Sequence, residues 1–183
     1  MKKLLFTASI VFTALSFFSC NNNAKQESVE NNDTIAVEVK DSAVYGKIGE
    51  GTMMHTLEVI TDEGETFTFD IDEYGNSEMM GGMMVGDRVT ATYMKGEDGN
   101  ILQKGINLTT ILGRWTSLDR NFTINEDGTI ESNVQAESRP YTHWTMVNSQ
   151  LVLNVDTFDI ITLNADSMSI ENANGIFVYK RQK

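Results

Sequence analysis

Cysteine is all but missing. Cys20 is the single thiol among 183 residues, so an internal disulfide is excluded, as is any site that needs two thiolates. Stability must therefore come from packing. Histidine is nearly as scarce. His55 and His143 are the whole supply, and their separation leaves no metal-type His pair. Fourteen Lys and Arg stand against 26 Asp and Glu. Bases this few and this scattered make no footprint for a phosphate backbone, which argues against nucleic acid as a partner. The same acidity disfavours charge-driven adhesion to anionic lipid. The sequence carries no Gly-x-Ser-x-Gly and no phosphate loop, so the familiar nucleophile and nucleotide motifs are absent. The longest apolar run, Leu4 to Phe18, is too short to span a bilayer and remain there.

That run follows a basic start, Lys2 and Lys3, and leads into Phe17-Phe18-Ser19-Cys20. Basic start, short apolar segment and small residue are the parts of a removable export signal. A small residue directly before the only cysteine resembles a bacterial lipobox, although Phe17 stands where such motifs usually carry an aliphatic residue. The resemblance implies a lipoprotein: residues 1–19 are removed and Cys20 is lipidated. The chain is then anchored to the membrane in the cell envelope, at the outer membrane. Several acyl chains anchor durably where one binds only marginally. Without residues 1–19 the chain holds 12 basic and 26 acidic residues, a net charge of −14. Residues 20–42 are polar and poor in large apolar groups; they cannot offset ordering entropy by burial and read as a flexible tether.

Residues 43–110 alternate with period two. Leu57 and Val59, then Phe67, Phe69 and Ile71, flank the turn Asp62-Glu63-Gly64, which predicts a hairpin. With Val44 to Gly49, Val89 to Tyr93 and Leu102 to Leu108 the count reaches about five strands, that of a small OB-like barrel. Methionine is concentrated here: Met53 and Met54 before His55, then Met79, Met80, Met83 and Met84 around Gly81-Gly82. Thioether and imidazole suit Cu(I). The set of Met54, His55, Met79, Met80, Met83 and Met84 resembles the ligands of periplasmic copper chaperones, some of which are OB-like barrels. Met also fills irregular core gaps, and that reading ranks first. Asp70-Ile71-Asp72-Glu73-Tyr74 starts like a calcium loop. Tyr74 and Gly81 occupy ligand positions they cannot serve, so it reads as a solvated turn.

Residues 111–183 begin with Leu112-Gly113-Arg114-Trp115. The glycine permits a sharp entry into a strand. Trp115 is expected to seal one barrel end with its indole N–H bonded, and Arg114 to face the other way. Seven or eight short strands follow, separated by turns such as Asp127-Gly128 and Asn148-Ser149, which predicts a meander closed on itself. Tyr141 to Val147 reads as one strand carrying His143 on a partly exposed face. Gly-x-Trp, a Phe-bearing strand, Asp-Gly, Trp144 and the closing Tyr179-Lys180-Arg181 resemble the short lipocalin-like domains of lipoproteins from Bacteroides and relatives. The resemblance implies an eight-stranded barrel and no catalytic motif. Its interior is expected to hold Trp115, Phe122, Trp144, Leu153 and Ile161, leaving little void. Trp115, Trp144 and Phe122 are the side chains placed to touch a ligand.

The sequence thus predicts an all-β chain of two small barrel-like domains, joined near Leu112, behind a signal segment. The expected function is a non-catalytic envelope module for a protein partner or a small apolar ligand, with no cofactor. Copper handling by the Met-rich half is the alternative.

Overall fold

The computed structural model describes residues 40–72, 74–134 and 138–182. Cys20, the signal segment and the tether as far as residue 39 lie outside the described residues. All described residues belong to one compact unit, Val39–Lys183.

The described residues are all-β apart from one helical turn. The strands are β1 (Val44–Ile48), β2 (Thr56–Ile60), β3 (Thr66–Asp70), β4 (Glu78–Met80), β5 (Arg88–Lys95) and β6 (Asn100–Asn107). Then come α1 (Leu108–Ile111), β7 (Gly113–Thr116), β8 (Asn121–Ile124), β9 (Ile130–Ser132) and β10 (Trp144–Val147). The last four are β11 (Gln150–Leu153), β12 (Asp156–Leu163), β13 (Ser167–Asn172) and β14 (Gly175–Arg181).

The first sheet has the order β3-β2-β1-β5-β6-β4, and a parallel β3–β6 pairing returns it to its start. Five strands thus form a closed OB-like circuit. The sixth, β4, is added beside β6 within the Met-rich stretch, a strand beyond the five expected. Alternation builds the core: Leu57 and Val59 point inward from β2, while Glu58 between them does not. Phe69 lies at the centre, against Phe67 and Tyr93.

The second sheet is an antiparallel meander, β10-β11-β12-β13-β14-β7-β8-β9. Its two ends meet. The Ile130 amide donates to the Thr142 carbonyl and the Trp144 amide to that of Gly128, beside a bridge between Thr129 and His143. Eight strands therefore make a nearly closed barrel. The strand expected over residues 141–147 is regular only from Trp144, because His143 takes part in that single closing bridge and is exposed.

Aromatic residues fill the barrel. Phe122 meets Tyr141 and Tyr179 edge to face at 5.5 and 5.1 Å, a geometry that adds about 0.5–1.5 kcal/mol per pair beyond burial. Trp115, Phe122 and Leu153 are buried as expected, and Trp144 only partly. Ile161 is not a core residue: it is 44% exposed. A register shift between Ile160 and Thr162 turns Ile161 and Thr162 both outward, because a bulge breaks period two and re-aims the chain. Val155 is 88% exposed in the turn after Asn154.

The two sheets share a seam. β6 sends Leu102 into the first core and Ile106 into the second. Gly81 donates its amide to the Leu163 carbonyl at 3.0 Å and accepts from the Thr110 hydroxyl at 2.8 Å. A Cβ on Gly81, at φ +84°, would stand 2.9 to 3.1 Å from Asn107, Thr110 and Leu163, so only glycine fits there. Residues 41 and 42, read as the end of the flexible tether, are held to the second barrel. The Ser42 amide donates to the Asn148 side-chain oxygen at 2.8 Å, and the Asn148 amide donates to the Asp41 carboxylate at 3.1 Å.

Candidate functional site

Consecutive turns of a meander lie at alternate ends of the barrel, so the two ends can be compared. The turns after β8, β10 and β12 share one end with α1. That end is sealed. Trp115 is 0% exposed, and its indole N–H donates to the Ile111 carbonyl at 2.7 Å. The Arg181 guanidinium stacks on the indole, 4.2 Å from the ring centroid. It donates to the Leu112 and Ala165 carbonyls at 2.6 Å each and to that of Thr110. The last carbonyls of a helix have no partner within it; here an arginine and a tryptophan supply them. Gly113 is needed twice over. Its φ is +109°, and a Cβ would lie 2.6 Å from the Arg181 guanidinium. Arg114, next to Trp115, points outward to the Asn121 side chain.

The turns after β7, β11 and β13 and the described residues 138–143 ahead of β10 share the other end, and among the described residues it is open. A cavity of about 520 Å³ lies there, within the range of small-molecule sites. Phe158, Tyr141 and Phe177 supply its aromatic wall, with Phe158 edge to face against both others at 6.5 and 5.8 Å. Arg120 from the β7–β8 turn lies over Tyr141 at 4.1 Å and donates to the Arg139 carbonyl at 3.2 Å. Asn154, at φ +57°, fixes the arm from Pro140 to His143: its side-chain oxygen accepts from the Thr142 amide at 2.9 Å and its NH₂ donates to Pro140 at 3.0 Å. Arg139, Asp156, Asn172 and Asn174 complete the lining.

The three aromatic residues named from sequence do not converge on this cavity. Trp115 is closed off at the far end. Phe122, 2% exposed, supports Tyr141 from beneath. Trp144 borders a different cavity of about 300 Å³ beside Tyr45 and Leu108, and its indole N–H donates to the Asn125 carbonyl at 2.7 Å. The open end was missed because four separate segments build it and no linear motif spans them. Two signals were legible: Arg120 and Arg139 are among few bases in this half, and turn residues such as Leu118 and Val155 are apolar.

The Met-rich set does not converge either. Neighbouring strand residues point to opposite faces, so Met79 packs on the first core and Met80 on the second. Met83 joins the first core, while Met54 and Met84 are 79% and 72% exposed. Among the described residues no group of three or more His, Cys, Asp or Glu is placed to hold a metal ion. No helix among them is long and apolar enough to cross a membrane.

Comparison with family models, curated proteins and solved structures returned no match.

Proposed function

We propose that this chain is a non-catalytic binding module of the bacterial cell envelope, lipid-anchored through Cys20, whose lipocalin-like barrel takes a small ligand with an apolar body. The observation that carries the reading is the asymmetry of that barrel: one end is sealed by Trp115 and Arg181, and the other opens into an aromatic-walled cavity of about 520 Å³. The interior between them is packed with side chains. A ligand therefore sits end-on in the mouth, and most of its contacts come from turns, where sequence can vary without loss of the scaffold. Lipidation would hold the module at a membrane, with the outer membrane as the expected site.

Two measurements test this. The apolar dye N-phenyl-1-naphthylamine should brighten on binding the wild-type protein. Asn174→Trp, which places an indole in the mouth on an exposed turn, should abolish the signal without lowering the melting temperature. Dye binding equal in both proteins would remove the open end as the site. For the anchor, wild type should incorporate radiolabelled fatty acid and fractionate with membranes, and Cys20→Ser should do neither. A wild-type protein that takes up no label would end the lipoprotein reading.

A further inference from the structure

The open end reverses the charge balance of the molecule around it. The chain has 26 acidic and 14 basic residues, yet among the described residues the charged side chains lining this cavity are Arg120, Arg139 and Asp156. The two arginines differ. Arg120 is half-buried and committed, over the Tyr141 ring with one N–H on the Arg139 carbonyl. Its place is fixed by the wall. Arg139 is exposed on the lip, and its guanidinium makes no hydrogen bond or ion pair among the described residues. The Asn174 carboxamide, also on the lip, is likewise without a hydrogen-bond partner among them. An unspent planar donor fork beside an aromatic wall suits an oxyanion carried on an apolar body. A guanidinium binds a carboxylate with two parallel N–H donors, a stronger and more directional contact than a neutral hydrogen bond.

We infer that the ligand of the open end is a small aryl or alkyl carboxylate: its apolar body lies against Tyr141, Phe158 and Phe177, and Arg139 receives its carboxylate. This rests on the ligand-binding reading above and specifies it. The packed interior excludes a ligand swallowed whole. A flat body with a charged head is what an end-on cavity selects when Arg139 is unpaired among the described residues. The long-range acidity of the chain opposes the approach of an anion, so the attraction must be local, and short-range pairing is what Arg139 offers. Asp156 in the same lining disfavours a second negative charge on the ligand.

The test compares two probes of the same shape, 2-naphthoate and 2-naphthamide, titrated calorimetrically into the full chain. One naphthoate should bind per chain, at least about tenfold more tightly than naphthamide at low salt, with the preference shrinking as salt screens the exposed pair. Arg139→Gln should cut that preference to about twofold or less and leave naphthamide affinity unchanged. Arg139→Lys should keep part of it, since the charge remains and the fork does not. Equal affinity for both probes in wild type, or a preference untouched by Arg139→Gln, would overturn the carboxylate inference and leave the binding reading standing. Failure of both probes to bind, or binding that survives Asn174→Trp, would overturn both.

Discussion

Single residues at this molecule's joints carry several demands at once. Gly113 must adopt a positive φ and also leave room for Arg181; Gly81 must do the same beneath Leu163. Tyr45 shows the polar counterpart. Its hydroxyl is shared between the Asp41 carboxylate and the Met146 carbonyl, 3.0 Å away. Burial and the adjacent carboxylate raise the Tyr45 pKa well above its ordinary 10.0. Burial pushes Asp41 upward, but hydrogen bonds from Tyr45, Ala43 and Asn148 outweigh it and hold its pKa below the ordinary 3.8. The signs then follow. A depressed carboxylate contributes stability above its unfolded pKa and loses it as pH falls through the folded value. A raised phenol contributes below its unfolded pKa and loses its share as pH rises through the folded one. Thermal melts should therefore show a plateau, with the Asp41–Tyr45 contact weakening below about pH 3.8 and again above about pH 10. Tyr45→Phe should remove the alkaline share and leave intact the acid share that comes from the amide donors to Asp41. An alkaline limb identical in wild type and Tyr45→Phe would mean that the hydroxyl adds nothing.

At the scale of elements, β4 decides the fate of the methionines. A three-residue strand pairs with β6, and its pleat sends Met79 to one core and Met80 to the other. Met79 also fills the space over Gly105, where a Cβ would lie 2.5 Å from its sulfur. Thioethers aimed in opposite directions pack the seam and share no ion. Replacing Met79, Met80, Met83 and Met84 together by Leu should keep the fold, with less than about 1.5 kcal/mol lost per buried position because the volumes are close. Cu(I) affinity should stay no better than micromolar in both proteins, and nanomolar binding that disappears in the Leu variant would restore the copper reading. The adjacent helix makes a related point. Four residues would not hold a helix alone. Here Asn107 caps the start, accepting from the Thr110 amide at 2.9 Å, while Arg181 and Trp115 cover the closing carbonyls.

At the scale of the whole molecule, the two barrels are expected to unfold together. Ile106 of β6 is buried in the second core, and Tyr45, Met80 and Leu108 pack against that core. The Lys104 ammonium donates across to the Ile160 carbonyl at 3.2 Å. Trp115→Ala empties the sealed end and should cost about 3–5 kcal/mol, a large part of the roughly 5–15 kcal/mol that a domain possesses. A seam shared in this way predicts one melting transition in that variant, with signals from Tyr93 in the first barrel and Trp144 in the second lost at the same temperature. Two separated transitions, or a protease-stable fragment ending near residue 110, would show that the barrels stand alone.

Much of this was legible in advance, for definable reasons. Period two in Leu57–Val59 and Leu151–Leu153 marks strands because inward and outward positions alternate whatever surrounds them. Asp127-Gly128 and Asn148-Ser149 mark hairpins because a tight turn demands positive φ, seen at Gly128, Asn148 and Ser149. Gly113 and Trp115 forecast a sealed end because a buried indole needs a partner. These are local requirements, and the sequence by itself determined them, together with the all-β class and the acidic surface. Tertiary structure alone decided the rest. A bulge near Ile161 depends on how β12 meets β13. The division of Met79 and Met80 depends on what lies on each side of β4. The open end depends on four segments, distant along the chain, that closure of the barrel brings to one rim. Arg139 and Phe177 become neighbours of one cavity only because eight strands return to their starting point, and the sequence pattern along any one strand does not encode that closure.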